Sequence, residues 1–229
     1  MAELHSHDMA VADFCKKLDA NERFLFSRYG DGEWGSILEK RKPKETNCDG
    51  HRYFTDMGFE LREALKSRPD YLVGMQDFAL KIYSGIIPWL EQQKLLNLNW
   101  VVADVFHRAS ARGELKPLAE SLRRRNLVVV GPDHLRSVAT ALEAAEFVEV
   151  PRKNCYLKLP EIIRATWTAI DRVGQNPVVS VSCGMPAKIL IHKLAAAENV
   201  TALDMGSVWD VYAGVPSRKY HREMTPQPL

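Results

Sequence analysis

Two carboxylates, Asp31 and Glu33, alternate with two glycines in the stretch Arg28-Tyr29-Gly30-Asp31-Gly32-Glu33, directly after the apolar run Phe24-Leu25-Phe26. If the chain stays extended through Glu33, side chains at i and i+2 project to the same side and the two acids converge. Converging carboxylates repel unless a cation sits between them or one takes up a proton. Gly30 and Gly32 add no side chain, so a bulky anion can come close to the backbone. The combination points to a hard divalent ion, Mn²⁺ or Mg²⁺, held by Asp31 and Glu33 and shared with the phosphates of a ligand. The same residues also read as a plain turn, because Asp-Gly is a common turn dipeptide.

A site of this kind needs other elements to hold it. Short apolar runs at 24–29, 71–75, 100–106, 127–130, 147–150, 178–182 and 200–203 read as strands, with helices predicted between most of them. The helices are expected from Asp8 to Leu18, after Trp34, over 53–67 with Pro69 ending it, and over 78–96 with a bend at Pro88. Others are expected over 115–125, 135–145, from Pro160, and over 186–197. Strands alternating with helices predict an α/β fold, a single Rossmann-like domain with a mainly parallel sheet covered by helices on both faces. The domain is expected to span 1–215, followed by a basic, proline-containing tail at 216–229. Residues 41–50 read as a loop over the site, offering Lys42 or Lys44 to a phosphate.

In such a sheet, ligands bind beyond the carboxyl ends of the strands. Besides the Asp31 end, four others carry suitable groups. Ser182-Cys183-Gly184-Met185-Pro186 leads into a helix whose free backbone N–H groups suit a phosphate. Cys183 lacks the frame of a nucleophile. Arg152, Lys153, Asn154 and Tyr156 follow another strand, with donors and an aromatic face for a base or ribose. Asp104, His107 and Asp204 lie at two more strand ends and are the candidates for general base; either aspartate is equally readable as a helix cap.

Composition narrows the class. The 229 residues carry 31 basic and 29 acidic side chains, a net charge of +2, which does not single out a nucleic-acid binder. Four cysteines without paired spacing give no zinc or redox motif and fit a reducing compartment. No run is long enough to span a membrane and no signal-peptide order opens the chain, so a soluble cytoplasmic protein is expected. His5 and His7 are expected on a mobile, solvated terminus.

Taken in order, Arg28-Tyr29-Gly30-Asp31-Gly32-Glu33, Val128-Val129-Val130-Gly131-Pro132, Val150-Pro151 with Asn154, Ser182-Cys183-Gly184-Met185-Pro186-Ala187 and Leu203-Asp204-Met205-Gly206 resemble the GT-D type of glycosyltransferase domain. That Rossmann-like family was first catalogued as a domain of unknown function and carries a D-x-E metal motif. The likeness covers roughly residues 24–213. It implies transfer of a sugar from a nucleoside diphosphate sugar, UDP-sugars favoured, to a hydroxyl on a glycan or glycopeptide. Asp31 and Glu33 would hold the metal. Arg28, Tyr29, Gly30 and Gly32, then Ser182, Cys183, Gly184, Met185 and Pro186, with Asn154 and Tyr156, would bind the donor. Arg108, Arg112 and Arg123-Arg124-Arg125 would permit a nucleic-acid acceptor such as a modified base, although such clusters are commonly a solvated face. Two rival readings are a metal-dependent phosphohydrolase or nucleotidyltransferase and a non-catalytic nucleotide-sugar binding module.

Overall fold

A computed structural model describes residues 4–47, 50–66, 70–218, 221 and 229. Pro69, Cys48 and Asp49 of the expected site loop, and most of the 216–229 tail lie outside the described residues.

In chain order the first half comprises α1 (Val11–Asp19), β1 (Leu25–Tyr29), α2 (Asp31–Ile37), α3 (Thr55–Ala64), β2 (Tyr71–Met75), α4 (Asp77–Ile82), α5 (Ile86–Gln92), β3 (Trp100–Val102) and α6 (Val105–Ala111). The second half comprises α7 (Lys116–Arg123), β4 (Leu127–Gly131), α8 (Arg136–Ala141), β5 (Glu146–Glu149), α9 (Leu159–Val173), β6 (Val178–Val181), α10 (Ala187–Leu194) and β7 (Thr201–Asp204). The seven strands form one sheet in the order β3-β2-β1-β7-β6-β4-β5, and every pairing is parallel. The α/β expectation is met, with the sheet wholly parallel.

Strand alternation divides the core in two. Leu25, Tyr29, Val128 and Val130 face one layer with Trp34, Met57, Leu61, Ile162 and Leu190, from α2, α3, α9 and α10. Phe24, Phe26, Leu127 and Val129 face the other, with Phe14, Phe106, Leu118 and Val138 from α1, α6, α7 and α8. In that second layer Phe14, Phe26 and Phe106 meet pairwise at centroid distances of 5.1, 4.8 and 5.4 Å, the edge-on and tilted geometry that aromatic quadrupoles favour.

Several expected boundaries move, each for a local reason. β1 ends at Tyr29, and Gly30, extended at φ −103 and ψ −166, caps a helix that begins at Asp31. The run 100–106 is a strand only to Val102, because Asp104 precedes a helix that carries Val105, Phe106, His107 and Arg108. α1 begins at Val11 rather than Asp8, with Asp13 accepting the Ala10 N–H at 2.9 Å in its first turn. The predicted bend at Pro88 is a break into two helices at Tyr83–Gly85, and Pro88 stands in the first turn of α5, where its missing N–H leaves no bond unmade. His7 is docked rather than free: its N–H donates to the Trp100 carbonyl at 2.8 Å and its carbonyl accepts from Val102 N–H at 3.2 Å. Among the described residues no helix is long and apolar enough to cross a membrane.

Candidate functional site

The chain winds outward from β1 to β3, crosses to β4 and β5 on the far half, and returns through β6 and β7 to lie beside β1. All carboxyl ends share one edge, and there a cleft of about 660 Å³ opens, within the size range of small-ligand sites. Its lining includes Arg28, Gly30, Asp31, Gly32, Glu33, Asp104, His107, Ser182, Cys183, Gly184 and Met185 of the expected set. The Asp31 and Ser182 turns are face to face: a side chain at Gly32 would come within 3.2 Å of Met185 Sδ.

Other expected residues do not line this cleft. Tyr29 is fully buried, its hydroxyl 3.4 Å from that of Tyr71. Asn154 is structural: in a left-handed conformation at φ 57, it accepts from Arg52 N–H at 2.8 Å, and its own N–H donates to His51 Nδ1 at 3.1 Å. Tyr156 turns away to donate to Glu60 at 2.6 Å and packs on Phe54. Pro186 precedes α10 without lining the cleft. Asp204 is wholly buried behind the wall, which removes it from reach of an acceptor hydroxyl.

Because Asp31 opens α2, Asp31 and Glu33 stand about 200° apart around a helix instead of on one side of a strand. Glu33 is committed. Its Oε2 accepts the Gly30 N–H at 3.0 Å and its Oε1 lies 2.6 Å from Lys188 Nζ. The same ammonium lies 2.9 Å from Asp204 Oδ2. Burial works against the charge on Glu33, but the Lys188 ammonium outweighs it and holds the carboxyl below its ordinary pKa. Burial likewise works against the ammonium, and Asp204 and Glu33 together raise its pKa. Both shifts keep the trio ionised.

Asp204 extends this network. Its Oδ2 accepts the Arg28 N–H and its Oδ1 the Gly206 N–H, each at 3.1 Å. The Arg28 guanidinium donates to the Ala103 carbonyl at 2.8 Å and to Asp104 Oδ1 at 3.1 Å. One chain of charges therefore joins the ends of β1, β3 and β7 to the starts of α2 and α10.

Against this, Asp31 faces the cleft with no hydrogen bond or ion pair among the described residues. Asp104 keeps one oxygen without a partner there. His107 Nε2 is 3.4 Å from Ser207 Oγ; burial first, then the Arg28 and Arg218 charges, push its pKa well below the imidazole range and keep it neutral. Burial raises the Cys183 thiol well above its ordinary pKa, so it stays protonated.

Sequence reading missed several cleft residues. Lys188 carries a signal in hindsight, a lone lysine amid Ala187, Ile189, Leu190 and Ile191. Gln76 lines the cleft with Oε1 buried and unpartnered, and a side chain at Gly30 would come within 2.9 Å of that oxygen. His134, bonded to Asp210 at 2.9 Å, and His51 also line it, without a sequence signal. Lys42 and Lys44 do not; Asn47 of the same loop does, and its Oδ1 accepts the His51 N–H.

The expected fit of a divalent ion changes in detail. Among the described residues no group of three His, Cys, Asp or Glu side chains is placed to hold one. Glu33, with an ammonium on it, does not fit as a ligand, whereas Asp31 does. In the wall Glu33 is paired with Lys188 and Asp104 with Arg28, which leaves Asp31 as a carboxylate without a cation of its own among the described residues, while Arg108, Arg152 and Arg218 also line the cleft. An open carboxylate at Asp31 suits a cation arriving with an anionic ligand.

The arginine clusters are largely spent on the protein itself. Arg123 donates to the Ala141 carbonyl, Arg124 pairs with Asp19, and Arg125 donates to the carbonyls of Leu18 and Asn176. Arg108 and Arg112 pair with Asp77 and Glu114.

An all-parallel sheet with its cleft at the carboxyl edge defines the Rossmann-like class of α/β folds. Within that class the fold is the one described for the domain of unknown function 1792 as a distinct glycosyltransferase fold. A structure of that domain superposes with a TM-score of 0.64 at 17% identity, covering 97% of this chain and 91% of that one. Another, described as a new glycosyltransferase from Streptococcus sanguinis, has a TM-score of 0.64 at 18% identity, with 94% and 87% covered. No family model and no curated protein matches the sequence.

Proposed function

We propose that the protein is a glycosyltransferase that uses a nucleoside diphosphate sugar, UDP-sugars favoured, and transfers the sugar to a hydroxyl of a glycan or glycopeptide. The carrying observation is that the Asp31 turn and the Ser182–Met185 turn meet in one cleft, on a fold shared with a protein described as a glycosyltransferase.

In this reading the bond from the anomeric carbon to the phosphoryl oxygen breaks and its electron pair leaves with the diphosphate. The acceptor oxygen bonds to the anomeric carbon, and its proton goes to the unpartnered oxygen of Asp104. Arg28 orients Asp104 through their 3.1 Å contact. Gln76 Oε1 accepts from a sugar hydroxyl, satisfying an acceptor otherwise buried without a partner. Mn²⁺ or Mg²⁺ on Asp31 would supply charge neutralisation at the departing diphosphate.

Two-metal hydrolysis or nucleotidyl transfer needs several converging acids, and the described residues offer no such group. The internal bonding of Arg123, Arg124 and Arg125 favours a glycan acceptor over a nucleic acid.

The test is nucleoside diphosphate release from a panel of UDP-, GDP- and TDP-sugars, with Mn²⁺ or Mg²⁺ and then with chelator, across glycan acceptors. Metal-stimulated release from UDP-sugars is expected. Binding of these donors without consumption under every acceptor leaves the binding-module reading in place of this one.

A further inference from the structure

Two groups in the cleft wall have unspent hydrogen-bonding capacity. Lys188 is 4% exposed, and of its three ammonium donors one is used by Glu33 and one by Asp204. Ser182, 7% exposed, has its Oγ buried without any hydrogen-bond partner. Both line the cleft, at the two sides of the turn that leads into α10. Gly184 makes that turn with φ 69, a conformation costly for other residues. The first turn of α10 adds backbone N–H groups that a helix leaves unbonded.

Structural needs account for neither unspent donor. A buried hydroxyl without a partner destabilises a protein, and an alanine there would remove that cost. Lys188 offsets the cost of its burial by pairing with Glu33 and Asp204, and that pairing still leaves one N–H over. Hydroxyl, ammonium and helix N-terminus are all donors, and together they describe a receptor for an anionic oxygen.

We propose that Ser182 Oγ and the remaining N–H of Lys188 form an oxyanion site for a diphosphate, receiving the oxygen on which charge builds as the sugar leaves. This rests on the donor reading above and assigns its leaving-group contact to a protein cation that Glu33 and Asp204 hold in place. Such an interaction is strongest in the transition state, where the oxygen carries most charge, and so contributes to rate more than to ground-state binding.

The experiment is calorimetric titration of inorganic pyrophosphate in excess Mg²⁺ into the full-length protein and two variants. Ser182→Ala is expected to hold or raise Tm while weakening pyrophosphate binding about tenfold, the loss of one charge-assisted hydrogen bond. Glu33→Gln combined with Lys188→Met preserves the net charge of the buried trio and is expected to lose at least as much affinity. Unchanged affinity in Ser182→Ala, or no binding by the unaltered protein, overturns the site; the serine variant decides alone if the double variant does not fold. Pyrophosphate binding that depends on Ser182, with no sugar nucleotide consumed, keeps this site and removes the transferase reading. Sugar transfer that is indifferent to Ser182 does the reverse.

Discussion

Glu33 Oε1 lies 2.6 Å from Lys188 Nζ, and this contact turns a residue that could have reached a ligand into part of the wall. Asp31, two positions earlier, is left as the open carboxylate of the pair. The two acids should therefore fail differently when altered.

Asp31→Asn is expected to leave the urea-unfolding midpoint within the scatter of surface substitutions, about 0.5 kcal/mol, because nothing in the described structure bonds to its carboxylate. Donor turnover should fall by about 100-fold or more if the residue serves the departing diphosphate. Glu33→Gln should instead cost stability, about 1–3 kcal/mol, through lost pairing with Lys188. Equal midpoints for the two variants would refute this division of labour.

Asp204→Asn should be the more damaging change at the hub. Its carboxylate serves Lys188 and the N–H groups of Arg28 and Gly206 at once. Weakening a buried partner of a buried charge costs about 3–5 kcal/mol, so the variant should unfold at distinctly lower denaturant. A loss under about 1 kcal/mol would mean that the trio is not a keystone.

Stability should be flat from neutral into moderately alkaline pH and fall on both sides. The Glu33 pKa is depressed in the fold, so its contribution is complete above the ordinary value of 4.5 and fades as pH drops through the folded value. His107 is depressed as well, so protonation of the unfolded chain below about 6.5 begins the acid loss earlier. The Lys188 pKa is raised, so its contribution is complete below 10.5 and disappears only as pH climbs through the folded value. Thermal melts from pH 4 to 11, as a rough span, should show His107→Gln flattening the first part of the acid limb.

Gly206→Ala tests the Arg28 seat. Gly206 has φ 54, and a side chain there would come within 2.3 Å of Arg28 Nη1. The backbone alone costs about 1–2 kcal/mol for a residue with a β-carbon. The guanidinium, fixed by Ala103 and Asp104, must also move, so turnover should fall more than stability implies. Unaltered turnover would show that the Arg28–Asp104 contact is not used.

The sheet was legible because buried parallel strands are written as unbroken apolar runs, such as Leu127–Val130 and Val178–Val181. Helix starts beside the site were harder. Nothing in Gly30-Asp31-Gly32-Glu33 distinguishes an extended pair of acids from the first turn of a helix, and that choice decides which way Glu33 points. Lys188 was hidden for a related reason: its partners, Glu33 and Asp204, are distant in sequence and meet it only when β1, β7 and α10 are assembled. Asn154 and Tyr156 were rightly placed at a strand end but had local partners, Arg52 and Glu60, that no spacing rule reveals.

The His7 bridge on β3 has a consequence for how copies of the chain behave in a crowded solution. A parallel sheet has two open margins, each a template on which another strand can grow. On one margin His7 occupies the backbone groups of Trp100 and Val102. The other margin, β5, bears Glu146 and Glu149, paired with Arg172 and Arg136, so a second copy laid alongside would have to strip water from these charged pairs. The two borders are thus closed by different means, one by the chain's own leading segment and one by charge. Trimming the first ten or so residues should leave the fold intact while making the protein prone to zip edge to edge into aggregates.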